Sequence, residues 1–150
     1  MPVPFVQDFS TWNSSLGKDH PLLDVDLFFL EVIKMASKYI GILMSSRNQA
    51  HAFHLTTSSY AEHKALQAYY EGIIPLADAW AEAYMGRYGR LTKISFNKKT
   101  VRDPRKAKQY FRSLLTRVRA IKLPRDSYLK NIQDEIMARI RSTLYMLSLK

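Results

Sequence analysis

From Asp24 onward, apolar and polar positions recur with a helical period. Ile33, Ile40 and Leu43 share one face and lead along it to Arg47, His51 and His54, a pattern that predicts a first helix over about 24–53. Asp24 and Asp26 sit where acidic side chains favour the N-terminal dipole. Thr56, Thr57 and Ser58 interrupt the period, and Ser59-Tyr60-Ala61-Glu62 reads as a capping box. It opens a second helix, about 59–85, with Leu66, Tyr69, Ile73, Leu76, Trp80 and Tyr84 on its apolar face. Pro75 predicts a kink inside it, and Gly86 and Gly89 predict its end. Residues 87–102 are basic and carry no clear period. Asp103-Pro104 has the cap-then-proline form of a helix start, so a third helix is expected over about 104–122. After the turn Leu123-Pro124-Arg125, Asp126 or Ser127 caps a last helix, about 126–148, with apolar face Leu129, Ile132, Ile136, Ile140, Leu144 and Leu147. Two long helices, a crossover between helices 2 and 3, and two further helices predict an all-α four-helix bundle.

Length and composition add limits to this picture. At 150 residues the chain is one domain with room for a core, preceded by an irregular segment, 1–23. No internal repeat, low-complexity tract or dividing linker is present. The absence of cysteine removes disulfides, thiolate nucleophiles and cysteine-based metal sites, so any metal must be held by imidazole and carboxylate. No apolar run of signal-peptide length opens the chain. The most hydrophobic stretch, Leu27–Met44, is broken by Glu31, Lys34 and Lys38 and predicts a buried helix, not a membrane span. A soluble, cytoplasmic protein with no membrane partner is expected.

Charge divides the chain into halves. Residues 1–86 carry −4 and residues 87–150 carry +14, which together make the net +10. On the third helix Arg105, Lys108, Arg112 and Arg119 project within an arc of roughly 60°, opposite Tyr110, Phe111, Leu114, Val118 and Ile121. No acid lies between Pro104 and Lys122, and Lys98, Lys99 and Arg102 extend the patch upstream. Such a face predicts contact with nucleic-acid phosphates, double-stranded DNA among them. With no base-reading motif, the binding should be independent of sequence.

The acidic half holds the candidate metal chemistry. On the second helix His63, Gln67, Glu71, Asp78 and Glu82 fall at about 0°, 40°, 80°, 60° and 100° around the axis, beside the apolar face. Asp78 and Glu82, four residues apart, reach one cation, and His51 and His54 stand just upstream on the first helix. His63 and Asp78 are 15 positions apart, about 22 Å of helix rise, so one copy of the helix cannot bring them to the same ion. Two antiparallel copies can, with a two-fold axis near Glu71-Gly72 and two equivalent sites; Gly72 would let the backbones approach. The di-iron bundle with Glu-x-x-His pairs is disfavoured, because that spacing occurs nowhere in the chain.

The run of His51, a break, Tyr60-Ala-Glu-His63, and then Asp78-Ala-Trp-Ala-Glu82 resembles the ferroxidase motif of the Dps-type miniferritins. His54-Leu-Thr-Thr-Ser-Ser-Tyr-Ala-Glu-His63-Lys-Ala-Leu and Tyr69-Tyr-Glu-Gly-Ile also resemble an uncharacterised ferritin-like group of tailed bacteriophages. The resemblance covers roughly residues 25–90. It departs from the miniferritin pattern at Ala52 and Leu55, where tryptophan follows the first histidine, and at Gln67, where an acid is common. It implies a ferritin-like bundle and homo-oligomers. It also implies iron, di-iron or mononuclear, oxidised from Fe(II) between subunits, with His51 (or His54) and His63 from one chain and Asp78 and Glu82 from its mate. No catalytic residue beyond these ligands is implied. The rival reading is a ferritin-fold protein with a degenerate metal site that binds nucleic acid or a protein partner without catalysis.

Overall fold

A computed structural model of the chain describes residues 21–149, with side chains from residue 25 on. Of the segment 1–23 expected to be irregular, residues 1–20 lie outside the described residues, and helix begins at Pro21. The described residues form four α-helices and no strands: α1 (Pro21–Thr56), α2 (Tyr60–Tyr88), α3 (Ala107–Ala120) and α4 (Ser127–Met146), with a 3-10 turn Pro104–Lys106 leading into α3. The chain divides into two compact units, Met1–Glu31 and Val32–Lys150. In the first, Val25, Leu27, Phe28, Phe29 and Leu30 are exposed. The second holds a helical bundle.

Helix direction in the bundle follows from pairings along α1. Tyr39 meets Trp80 with ring centroids 4.9 Å apart, Ser46 shares a 2.6 Å hydrogen bond with the Tyr69 hydroxyl, and His54 stacks on His63. Ascending numbers on α1 thus meet descending numbers on α2, an antiparallel hairpin. Residues 89–103 then return along α1 in its own direction. The Ser95 carbonyl lies over Gly41, where any Cβ would collide with it. The Asn97 N–H donates to Ser45 Oγ at 2.9 Å. Gln49 donates to the Val101 carbonyl and accepts from the Val101 N–H, each at 2.8 Å. Tyr110 and Phe111 at the head of α3 meet Phe53 and Tyr69. Val118 near its foot shares a recess with Tyr39, Gln133 and Met137. On α4, Asp126 accepts a 2.5 Å hydrogen bond from Tyr88 at the foot of α2, and Arg139 lies against Gly72 higher up. So α1 and α4 point one way, and α2 and α3 the other.

The core is built from the periodic apolar positions: Leu43, Phe53, Leu66, Tyr69, Ile73, Trp80, Phe111, Leu114, Leu129, Ile136 and Ile140 are fully buried. Each large aliphatic or Phe side chain contributes roughly 1.5–3 kcal/mol by leaving water. Helix ends follow local chemistry, with two changes from expectation. Ser59 caps α2 by accepting from the Glu62 N–H at 3.3 Å. The Glu62 carboxylate, however, takes the Thr57 hydroxyl at 2.6 Å instead of closing the box on Ser59, and Thr57 Oγ1 accepts the Ser59 N–H. Gly86 stays inside α2, and Gly89 ends it at φ 94° with its N–H donating to Met85, a backbone state that suits glycine. The helix also runs on through Pro75.

Gly72 has a different role from the one its sequence position suggests. A Cβ there would sit 2.7 Å from the Arg139 guanidinium carbon, so the space left by the missing side chain is occupied by α4 of the same chain. The outward stripe of α2 consists instead of Lys64, Ala68, Glu71, Pro75, Asp78 and Glu82, all exposed.

Candidate functional site

Three of the four histidines meet at the head of the α1–α2 hairpin. The tight turn Thr57–Ser59 brings the last turn of α1 against the first turns of α2, and His54 and His63 stack there with centroids 3.6 Å apart and planes 23° from parallel. Their hydrogen bonds are reciprocal: His54 Nδ1 lies 2.9 Å from the His63 carbonyl oxygen, and His63 Nδ1 lies 2.9 Å from that of His54. A carbonyl can only accept, so both Nδ1 atoms donate. In each neutral ring the lone pair is therefore on Nε2. The His54 carbonyl is one of the last of α1 and lies past the reach of the helix ladder; His63 supplies its donor.

His51 stands one turn back on α1, its ring 5.9 Å from that of His54 and stacked on Tyr70 at 4.3 Å. Arg47 covers Tyr70 with its guanidinium at 5.5 Å, a cation–π contact. His54 is 8 % exposed, and His51 and His63 are half-buried.

This arrangement limits metal binding. A metal lies in the plane of each imidazole that ligates it, about 2.1 Å from the nitrogen. Two rings stacked 3.6 Å apart with planes only 23° from parallel have no in-plane point within that bond length of both, so His54 and His63 cannot hold one ion in this geometry. Asp78 and Glu82 are exposed on α2, about 22 Å and about 28 Å along the helix from His63. Among the described residues no group of three His, Asp or Glu side chains is gathered to hold a metal. The structure therefore brings His51, His54 and His63 together and leaves Asp78 and Glu82 apart from them within one chain.

The basic residues lie along the return segment and α3. Lys98, Lys99, Arg102, Arg112 and Arg119 are exposed and Lys108 is half-buried. Arg105 is engaged: its Nε and Nη2 donate to the two carboxylate oxygens of Asp103, each at 3.0 Å. That pairing holds the Asp103 carboxyl below the usual range, chiefly through the hydrogen bonds from Arg105. Asp103 also caps the 3-10 turn through the Arg105 N–H. Of the expected phosphate contacts, Arg105 is thus the one already neutralised.

Residues 54–147 match a family of unknown function, DUF5856. The chain belongs to the DUF5856 family. The matched span begins at His54 and takes in His63, Asp78, Glu82 and all the basic residues above, while His51 precedes it. The chain is also 38 % identical over 55 residues to an uncharacterized 14.6 kDa protein in the mobD-ri intergenic region of Enterobacteria phage T4. That similarity spans 37 % of this chain and 43 % of the phage protein. No solved structure matches the chain. No helix among the described residues is long and apolar enough to cross a membrane.

Several residues of this DUF5856 chain matter at these sites without having stood out in the sequence. Tyr70 stacks on His51 at 4.3 Å and meets His54 at 5.2 Å; it lies two turns after His63 and nearly on its face, a spacing that puts it on the side of α2 turned toward these histidines. Gln49, 6 % exposed, anchors the return segment through backbone groups, and side chain-to-backbone pairing leaves no periodic signal.

Proposed function

We propose that this chain is a ferritin-like helical protein that pairs with a second copy along α2 and binds Fe(II), its substrate, between the copies. His63 and His51 of one copy and Asp78 and Glu82 of the other would be the ligands, and dioxygen or a peroxide reaching that site would accept the one electron each Fe(II) gives up, leaving Fe(III). The observation that carries this reading is the reciprocal Nδ1-to-carbonyl bonding of His54 and His63. Such bonds fix the tautomer that leaves Nε2 free to ligate, as is usual for metal-binding histidines. Because the stacked pair cannot share an ion, His51 joins His63 in the half-site and His54 acts as its orienting partner. One long return between α2 and α3 is the connectivity of ferritin-like bundles. Asp78 and Glu82 on the outward stripe of α2 are open to a second chain.

The test is complementation. His63→Ala and the pair Asp78→Ala/Glu82→Ala should each abolish anaerobic Fe(II) binding. Mixing the two proteins should restore one site per heterodimer. Full Fe(II) binding by either variant alone refutes the assignment.

A second reading, favoured by the predominantly basic surface of the return segment and α3, is sequence-independent nucleic-acid binding. Duplex DNA of any sequence should bind, with log K falling by about 0.9 per phosphate contact for each tenfold rise in salt. Charge reversal at Lys108 and Arg112 should flatten the slope, whereas reversal at Arg105, already paired, should change it less. A salt-independent affinity refutes this reading.

A further inference from the structure

The return segment, α3 and the adjoining side of α1 line a trough that the basic face alone does not describe. One end is a recess of about 160 Å³ lined by Asn48, Ala52, Phe96, Asn97, Lys99 and Tyr110. The other is a recess of about 570 Å³ lined by Arg102, Lys106, Gln109 and Ser113. Both share Thr100 and Tyr110. Phe96 is 56 % exposed beside the segment's two anchors on α1, at Asn97 and Val101. Its ring is thereby presented on a held backbone, next to Lys98 and Lys99.

We infer that this trough binds single-stranded nucleic acid, with Phe96 as a stacking platform and Lys99, Arg102 and Lys106 on the backbone phosphates. The inference rests on the nucleic-acid reading above and names its substrate. A duplex keeps its base faces stacked inside and meets a protein surface mainly through phosphates, so an exposed phenyl ring finds no base face to stack on unless the duplex is first unstacked. A single strand offers base faces and phosphates together, and a basic groove with an aromatic platform is the pairing that takes both. Asn97, Thr100, Gln109 and Ser113 add uncharged hydrogen-bonding groups with no fixed pattern, as sequence-tolerant binding requires. Asp103, the acid at the trough, is neutralised by Arg105.

The experiment compares a short single-stranded DNA of mixed sequence with the same strand in duplex, by fluorescence anisotropy on the full chain across a salt series. The single strand should bind more tightly. Phe96→Ala should weaken it by about 5- to 150-fold, the usual range for losing one stacked base, and leave duplex affinity unchanged. Lys99→Gln/Arg102→Gln/Lys106→Gln should reduce the single-strand salt slope by roughly 0.7 for each phosphate no longer neutralised. Tyr145→Ala, which removes a ring 65 % exposed on α4, is the control and should alter neither. Circular dichroism confirms that each variant keeps its helices. Duplex binding with no single-strand preference, or with no response to Phe96→Ala, overturns the inference and leaves the broader reading standing. Binding of neither probe overturns both.

Discussion

Gln49 is the side chain on which the return segment depends, and its replacement gives the sharpest test of this packing. It is 6 % exposed and makes two 2.8 Å hydrogen bonds to the backbone of Val101. Gln49→Ala removes both and leaves the N–H and C=O of a half-buried residue without partners. Each missing bond costs about 1 kcal/mol, and each stranded buried group up to about 1–3 kcal/mol. Val101 retains some access to water, so the expected total is roughly 2–3 kcal/mol. At about 2–4 °C per kcal/mol for a chain of this size, the melting temperature should fall by roughly 5–10 °C. Hydrogen exchange locates the effect: the Val101 amide should lose protection far more than amides of α4. Gln49→Glu adds a pH signature. The protonated acid can donate to the Val101 carbonyl and accept from its N–H, restoring both bonds. The carboxylate faces that carbonyl with no proton to give, in a buried site. The folded-state pKa of the new acid is therefore raised above its unfolded value of about 4.3. Stability is then fully present below that unfolded value and is lost as pH rises through the folded one. Unchanged Val101 protection in Gln49→Ala, or a Gln49→Glu protein that gains stability with rising pH, would show that this anchor does not hold the segment.

Further outcomes follow from buried groups elsewhere. The hydroxyls of Tyr39 and Tyr84 are buried without a hydrogen-bond partner, and burial pushes the Tyr84 phenol up to about 12 and raises that of Tyr39. Tyr39→Phe and Tyr84→Phe should therefore be neutral or stabilising by up to about 1 kcal/mol in urea denaturation; a loss above that size would mean the hydroxyls are satisfied. Gly72→Ala should stabilise α2 by about 0.5–1 kcal/mol, because the obstacle is the flexible tip of Arg139; a destabilisation would show that Arg139 cannot move.

Periodicity made the helices legible. The apolar faces of α2 and α4 emerge as core almost position for position, since Leu66, Tyr69, Ile73, Trp80, Tyr84, Leu129, Ile136 and Ile140 are all buried. That outcome rests on apolar area, which sequence displays directly. The path of the return segment was not legible. Residues 89–103 carry no period because they are held by Gln49, by Ser45 and by the space over Gly41. Each of these is a contact to backbone, indifferent to the identity of the residue it holds. The caps shifted for a similar reason: the Glu62 carboxylate could take the Ser59 N–H or the Thr57 hydroxyl, and it took the hydroxyl, leaving the Ser59 N–H to Thr57 Oγ1.

At the histidines, sequence spacing and structure address different questions. Spacing fixes which residues share a face, and His51, His54 and His63 do converge. It is silent on ring orientation, which the hairpin turn decides by leaving the last carbonyls of α1 without helix donors. Once His63 supplies one of them, its ring must lie flat against that of His54, and the stacking that results forbids a shared ion. One bond therefore both prepares Nε2 for ligation and withholds the second imidazole of the pair. Ligands from elsewhere are then required. The one aspartate–glutamate pair at helical spacing on the outward stripe of α2, Asp78 and Glu82, lies too far along its own helix to serve. A metal site that joins His63 to Asp78 and Glu82 consequently needs a second chain. On the proposed reading the stacked ring makes His54 a positioning residue. His54→Ala keeps the backbone carbonyl that accepts from His63 Nδ1 but removes the ring packed on His63 and the donor to the His63 carbonyl. It should therefore weaken Fe(II) binding, while His54→Asn, which retains that donor, should recover part of it. Full Fe(II) binding by His54→Ala would refute that role.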